Sequence, residues 1–252
     1  MLVFLKANKL SLLTLCTLLE ELKLNTGLTI NIQKSKIYFS KGCSCREELK
    51  AIIGFPEGLL PTKYLGMPLS EKYLKHRHFS SLIDKCKEKL KDWKSQTLSF
   101  PGRVELIRSV IHGIVSYWIQ SYQLPASVCR ELDSMYANFL WKGKMHAWSW
   151  KSICKPRSEG GMGLRSFQVV NKTFACKRFW TYCATDTIWA KWMRMHYKKL
   201  YSIENAPVHP MNSVSWKELC QIRQFMLSHM HYTDNKWQWG PCSSGLFTLK
   251  SA

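Results

Sequence analysis

The chain has 252 residues, which is enough to bury a hydrophobic core in one large domain or two small ones. A hydrophobic content of 46% excludes a disordered chain, and 37 lysines and arginines against 17 acidic residues give a net charge of +20. This excess favours polyanionic partners, nucleic acid first and an anionic membrane surface second. The aromatic content of 13% favours nucleic acid, because aromatic rings stack on unpaired bases. The alternative is a basic protein whose charge only keeps it soluble.

The N-terminal segment is apolar but does not have the pattern of a membrane anchor. Lys6 and Lys9 interrupt it, and the uncharged run 10–19 is half the length of about 20 residues that a spanning helix needs. No small-residue cleavage site follows, which argues against a signal peptide. The segment instead predicts a core strand at 2–5 and a core helix at 10–24.

The next part of the chain alternates between turn signals and short apolar runs. Gly27 is predicted to end the first helix in a left-handed conformation. Residues 28–32 alternate between apolar and polar side chains, as in a half-buried strand. Residues 37–39 and 62–70 predict two further short strands, so the N-terminal region is expected to mix helix and sheet.

From residue 74 onward the apolar residues recur at helical spacing. Three amphipathic segments follow one another, and Pro101 lies in the first turn of the second, where proline suits a helix start. Three consecutive helices of this kind predict a bundle. Their expected inward-facing residues are Leu74, Phe79, Leu82, Ile83, Cys86, Leu90 and Trp93, then Val104, Ile107, Ile111, Ile114, Val115 and Trp118, then Val128, Leu132, Met135, Tyr136, Phe139 and Leu140.

The C-terminal part is predicted to be a connector, three helices and a short β segment. The connector, 141–167, is expected to run extended over the bundle surface. Helices are expected at 168–184, 186–197 and about 215–227, and the tail 236–252 predicts a strand, a turn and a strand. The predicted fold class is therefore α+β, mostly α.

The ten cysteines are scattered and form no CxxC pair. This distribution favours buried thiols in a reducing, intracellular compartment over a disulfide framework. Cys43 and Cys45 form one close pair, and His229 and His231 lie near Cys220 along the chain. Neither group matches a common zinc spacing, so no metal site is predicted.

Six segments, taken in this order, resemble the polymerase region of plant LINE-type (non-LTR) retrotransposon reverse transcriptases. They are GLTINIQKSKIYFS, PTKYLGMPLS, LSFPGRVELIRSVIHGIVSYW, NFLWKG, KSICKPRSEGGMGLRSF, and WQW followed by SGLFTLKSA. The resemblance runs from residue 1 to residue 252. It implies a palm remnant at 1–70, a helical thumb-like bundle at 71–145, a Trp/Lys-rich connector with helices at 146–235, and the start of a truncated zinc-binding-type domain at 236–252.

In this family two adjacent aspartates in the palm hold the Mg²⁺ ions of polymerisation. The chain contains no Asp-Asp pair and starts at the apolar strand that follows the pair in family members. The resemblance therefore implies a truncated reverse transcriptase-like protein that is inactive on its own, needs no cofactor, and binds RNA, DNA or an RNA–DNA hybrid. It implies a nuclear or cytoplasmic location without a membrane anchor.

Two alternatives stay open. The chain is part of an active RNA-directed DNA polymerase whose Asp-Asp half is encoded upstream, or it is a basic interaction module with no nucleic-acid role.

The resemblance also assigns candidate binding residues. Lys34 matches the family's motif lysine beside the incoming nucleotide, but without the aspartates an edge lysine that discourages strand pairing is favoured. Tyr64 and Gly66 match the segment that grips the primer end. The full nucleic-acid-binding set is Lys34, Lys36, Lys63, Tyr64, Gly66, Arg103, Arg108, Lys142, Lys155, Arg157 and Arg165.

Two features of this set have a plainer explanation. Each basic residue, taken singly, also fits an ordinary solvated surface. The glycines of EGGMGLRSF (Gly160, Gly161 and Gly163) suggest a phosphate-binding loop, but no GxxxxGK[ST] motif is present. A structural turn that docks on the helices is therefore predicted.

Overall fold

The computed structural model describes residues 1–70, 73–94, 98–142, 145–197 and 203–251. The chain divides into two compact units, Met1–Lys72 and Tyr73–Ala252. Most of the described residues are helical, and the strands among them form two small antiparallel sheets. The predicted α+β, mainly α class is confirmed.

The first unit begins with the predicted helix, α1, at Lys9–Thr26. The Asn8 side chain caps its N-terminus, and Gly27 ends it with φ of 69°, as expected. Leu12 is buried, but Leu13 and Leu22 remain more than 40% exposed. The apolar face of α1 is therefore only partly covered.

Two predicted strands in this unit are wrong. Residues 2–5 form no strand, and in place of a strand at 28–32 the chain runs irregularly into a 3₁₀ turn at Ile32–Lys34. Of residues 37–39, only Ile37 pairs, in an isolated parallel bridge with Glu57. An alternating pattern shows that side chains suit a pleated surface, but a strand also needs a partner, and the described residues supply none here.

After a short helix, α2 at Arg46–Ile53, the chain forms a hairpin. Its strands are β1 at Thr62–Tyr64 and β2 at Met67–Leu69, where a single strand was predicted. Leu65 and Gly66 make the turn with φ of 50° and 80°. Positive φ at both central residues is the geometry that matches the twist of a two-residue hairpin.

The second unit contains the three predicted bundle helices. Phe79, Leu82, Val115, Trp118 and Leu132 are each at most 2% exposed and lie in its core. The second helix contains a π-helical segment at Ile107–Ile111, which the sequence pattern did not reveal. The first predicted helix is α3 at Ser80–Lys94, and the third is α6 at Ala126–Leu140. The second consists of α4 at Phe100–Leu106, the π-helical segment and α5 at His112–Ser121.

The predicted extended connector is wrong in part. It contains a short helix, α7 at Trp150–Ile153, and a 3₁₀ turn at Arg157–Glu159. The three following helices are confirmed as α8 at Phe167–Ala184, α9 at Ile188–Tyr197 and α10 at Val214–Leu227.

The C-terminal hairpin lies earlier than predicted. Its strands are β3 at Met230–Thr233 and β4 at Lys236–Trp239, whereas the second expected strand, near residues 246–249, does not form. Asp234 and Asn235 make the turn, both with positive φ. These are residue types that tolerate that conformation, so the turn signal was present in the sequence.

Candidate nucleic-acid interface

Three candidate lysines lie on exposed parts of the first unit. Lys34 ends the 3₁₀ turn, Lys36 follows it, and Lys63 is the middle residue of β1. The Tyr38 hydroxyl donates a hydrogen bond to Thr62 Oγ1 at 3.1 Å, which holds the segment after Lys36 beside the hairpin. Because Lys34 lies in a 3₁₀ turn and not on a strand, its interpretation as an edge lysine is wrong.

The other two candidates of the first unit belong to the hairpin. Tyr64 is half-buried at the end of β1, and Gly66 is exposed in the turn. A Cβ atom on Gly66 would meet nothing within 4 Å. The glycine is therefore explained by its positive φ and not by a close approach of neighbouring atoms.

Arg103 has an internal role in the second unit. The residue is 9% exposed. Its Nε donates to the Leu140 carbonyl at 2.9 Å and its Nη1 to the Leu98 carbonyl at 2.7 Å. The guanidinium group thus joins α4 to the end of α6, and both of these bonds are made inside the fold.

The glycine-rich segment folds into a compact loop, residues 155–165, which we call the glycine loop. The backbone N–H groups of Gly160, Gly161 and Gly163 donate to the carbonyls of Arg157, Pro156 and Lys155, in that order, at 3.0–3.2 Å. These amides are thus used within the loop and do not point at a ligand. The predicted structural turn is confirmed.

Close packing explains one of the glycines. A Cβ atom on Gly161 would lie 2.0 Å from the Lys155 carbonyl oxygen, which is far inside van der Waals contact. Gly160 differs, because its φ is 79° and a Cβ atom there would meet nothing within 4 Å.

The loop brings together four of the predicted basic residues. Lys155, Arg157 and Arg165 are exposed on it. Arg108, from the π-helical segment, donates to the Met162 carbonyl at 2.9 Å and so reaches the same loop. Arg165 is positioned by a 3.2 Å bond to the Leu249 carbonyl. Basic side chains from two separated parts of the sequence therefore reach this loop, and a backbone carbonyl from a third part positions one of them.

The charge of this cluster affects the pKa of the partly buried side chain of His112. Burial, and then the charges of Arg165 and Arg108, lower the pKa of His112 from 6.5 to about 4. Its ring stacks on Phe167 with centroids 5.1 Å apart. The two guanidinium groups therefore act on one neutral histidine, and sequence reasoning had assigned that histidine no role.

Two carboxylates lie on or beside the cluster. Glu105 pairs with Arg108 at 2.8 Å, and both side chains are partly open to solvent. Glu159 is exposed on the loop itself. The glycine loop with Arg108 nevertheless carries four cationic side chains against these two acids.

Lys142 is a predicted binding residue that does not belong to the glycine loop. It is exposed just after α6, with φ of 53°, and its N–H donates to the Phe139 carbonyl at 3.3 Å. Within the described residues, the backbone of Lys142 makes no hydrogen bond to the glycine loop.

The thiols and histidines of the described part of the chain are not grouped as metal ligands. Within the described residues, no group of three or more His, Cys, Asp or Glu side chains is placed to hold a metal ion. The Cys43 and Cys45 sulfurs lie 3.9 Å apart as free thiols. The His229 ring is tilted against that of Phe225, with centroids 4.6 Å apart.

None of the described helices combines the length and the apolar character needed to cross a bilayer.

Comparison with known proteins gives one partial match. No family model matches the chain. Over 119 residues it is 29% identical to a protein of Arabidopsis thaliana named "Putative ribonuclease H protein". The match covers 45% of this chain and 19% of the relative, so the chain corresponds to about a fifth of that protein's length.

Proposed function

We propose that the second unit binds the phosphate backbone of a nucleic acid through the glycine loop, in a protein of retrotransposon origin. The observation that carries the proposal is that Lys155, Arg157 and Arg165 lie exposed on one tightly folded loop. Arg108 reaches the same loop through its hydrogen bond to the Met162 carbonyl. Guanidinium groups suit this task because their planar set of donors matches phosphate oxygens.

The physical chemistry of the loop supports backbone binding without base recognition. The N–H groups of its three glycines are used internally, so long cationic side chains would provide the contacts, and such side chains bind phosphates without recognising sequence. Part of their positioning is built in, because Arg108 and Arg165 are already tied to carbonyls. The net charge of +20 adds a long-range attraction for any polyanion.

The relative supports the same class of partner. It carries the name of a nuclease that acts on RNA, and the matched stretch is less than half of this chain. The finer assignment, to a reverse transcriptase of LINE type, is supported by the six sequence segments described above. Under this proposal the chain holds a template–primer hybrid, and no catalytic step is assigned to it.

The proposal is tested by removing the charges of the loop. In the triple variant Lys155→Ala, Arg157→Ala, Arg165→Ala, we expect affinity for an RNA–DNA hybrid to fall by roughly 10- to 100-fold at moderate salt, because phosphate contacts dominate such binding. The measurement is fluorescence anisotropy with a labelled hybrid.

A matched triple variant controls for net charge. Lys85, Lys91 and Lys236 are exposed on α3 and β4, and their replacement by alanine removes the same charge from dispersed positions. We expect this variant to bind within about threefold of the wild type, since the loss is spread over the surface. Equal losses in the two triple variants would contradict a localised site.

A further inference from the structure

One face of α9 exposes large apolar side chains, including a tryptophan, and neither the fold nor the glycine loop explains this exposure. Ile188, Trp192 and Met195 lie four and three residues apart, on one face of the helix, and are 89%, 54% and 69% exposed. The opposite face is anchored in the core through Ala190 and Met193, which are at most 1% exposed. The helix is therefore firmly packed while it presents a large indole to solvent.

The indole belongs to a ladder of rings that reaches the core. Trp192 lies parallel to His196, with centroids 5.1 Å apart and planes 5° apart. His196 meets Tyr197 edge-on at 4.8 Å, and Tyr197 stacks on Trp216 at 4.2 Å with planes 4° apart. Trp216 is 1% exposed, so the ladder runs from solvent to the interior.

Hydrogen bonds fix the middle of this ladder. The Tyr197 hydroxyl donates to Ser213 Oγ at 2.9 Å and accepts from the Ser213 N–H at 3.1 Å. Ser213 is itself the N-cap of α10. Rings held in this way lose little conformational entropy when a flat ligand stacks on them.

The charge on α9 complements an anion. Its ionisable side chains are Lys191, Arg194, His196 and Tyr197, with no carboxylate among them. Arg194 is already bonded to the carbonyls of Tyr182 and Thr185 and to Asp186. Lys191 is exposed, adjacent to Trp192 in the sequence.

We propose that Trp192 and His196 form a stacking platform for an unpaired base of single-stranded RNA or DNA. The inference rests on the proposed nucleic-acid function and adds a second site to it, which takes bases where the glycine loop takes phosphates. The exposed Trp192 ring, stacked on the parallel His196 ring, offers a π-face that any base can stack on, and Lys191 offers a charge for the phosphate beside it. A protein partner would instead use Ile188 and Met195 as much as Trp192, which makes the two occupants distinguishable.

The test compares two short RNA strands of equal length and charge, one with bases and one abasic. In Trp192→Ala we expect affinity for the base-bearing strand to fall by roughly 5- to 100-fold, the range of one lost base–aromatic stack, with no change for the abasic strand. Trp192→Phe should retain most of the preference for bases. Ile188→Ala, a change of another exposed apolar side chain on the same face, should leave both affinities unchanged.

Two results would overturn the platform while leaving the proposed function in place. In one, wild type binds both strands equally and the glycine-loop triple variant weakens both. In the other, Ile188→Ala and Met195→Ala weaken binding as much as Trp192→Ala, for the abasic strand as well. If the wild type binds neither strand, the RNA–DNA hybrid decides between the two proposals: binding to the hybrid overturns the platform alone, and failure to bind it overturns the proposed function as well.

Discussion

At the residue scale, burial decides which basic side chains can meet a nucleic acid. Arg103 and Arg157 were both predicted from the sequence to bind nucleic acid, but Arg103 is 9% exposed and bonded to two carbonyls, whereas Arg157 is exposed. The partners of Arg103 lie five and 37 residues away. The spacing of residues along the chain does not reveal hydrogen bonds of this kind. Sequence analysis therefore predicted both arginines to bind nucleic acid.

The two arginines should separate in a stability measurement. Arg103→Ala removes two charge-assisted hydrogen bonds and leaves the Leu98 and Leu140 carbonyls without that donor, so we expect a loss of about 2–4 kcal/mol in the free energy of unfolding. Arg157→Ala should change it by less than about 0.5 kcal/mol, as at other surface sites. Chemical denaturation of both variants provides the check, and a stable Arg103→Ala protein would refute the internal role.

A second prediction concerns the pH dependence of stability at Asp133. Burial raises the pKa of Asp133 from 3.8 to about 6, although the Phe167 N–H and the Trp150 indole lower it. The Phe167 N–H donates to Asp133 Oδ1 at 3.0 Å. The Trp150 indole lowers the pKa of Asp133 although its N–H has no hydrogen-bond partner of normal geometry. Since the folded state holds this proton more tightly than the unfolded state, the stabilisation is complete below pH 3.8 and is lost as the pH rises to about 6.

The Asp133→Asn variant should not lose this stabilisation as the pH rises. An amide oxygen can still accept from Phe167, so we expect the variant to gain stability relative to wild type between pH 4 and pH 7, by an amount on the order of 1 kcal/mol for this partly exposed group. His112 acts in the opposite direction, because its pKa is lowered to about 4 and its stabilisation is lost as the pH falls from 6.5. Denaturation at both pH values, with the exposed Asp84→Asn as the reference, provides the measurement. A constant difference between variant and wild type would show that Asp133 titrates normally.

At the element scale, the long helices were predictable, but the strands predicted at 2–5 and 28–32 do not form. Each long helix of the second unit buries residues at a period visible in the sequence, such as Leu82 and Cys86 in α3. The predicted strand at 28–32 also has a clear period, but pairing depends on a partner that no local pattern reports. The π-helical segment went unseen because one extra residue in a turn leaves no composition signal. The meeting of Arg108 with the glycine loop was equally hidden, since it joins residues 54 apart.

The glycine loop predicts a contrast between neighbouring glycines. Gly161→Ala would place a Cβ atom 2.0 Å from a backbone oxygen, so the backbone must shift, and we expect a loss of about 3 kcal/mol together with weaker hybrid binding. Gly160→Ala meets no such overlap and should cost about 1 kcal/mol for its positive φ. Thermal unfolding and anisotropy together test this contrast. Equal behaviour of the two variants would mean that the loop does not hold the fold described.

At the scale of the whole molecule, composition indicated the class of partner but not the surface that meets it. A charge of +20 attracts any polyanion, and the 37 basic residues occur in both units. Only the folded chain separates arginines that hold helices together from those that gather at the glycine loop. The central claim is therefore that binding is localised and is not a property of net charge alone.

The salt dependence of hybrid binding tests this claim most directly. Each phosphate contact on a duplex contributes about 0.9 to the slope of log affinity against log salt concentration. Replacement of Lys155, Arg157 and Arg165 by alanine should reduce the slope by about 2–3, whereas replacement of Lys85, Lys91 and Lys236 should reduce it by less than about 1. Equal slopes for the two triple variants would contradict the account.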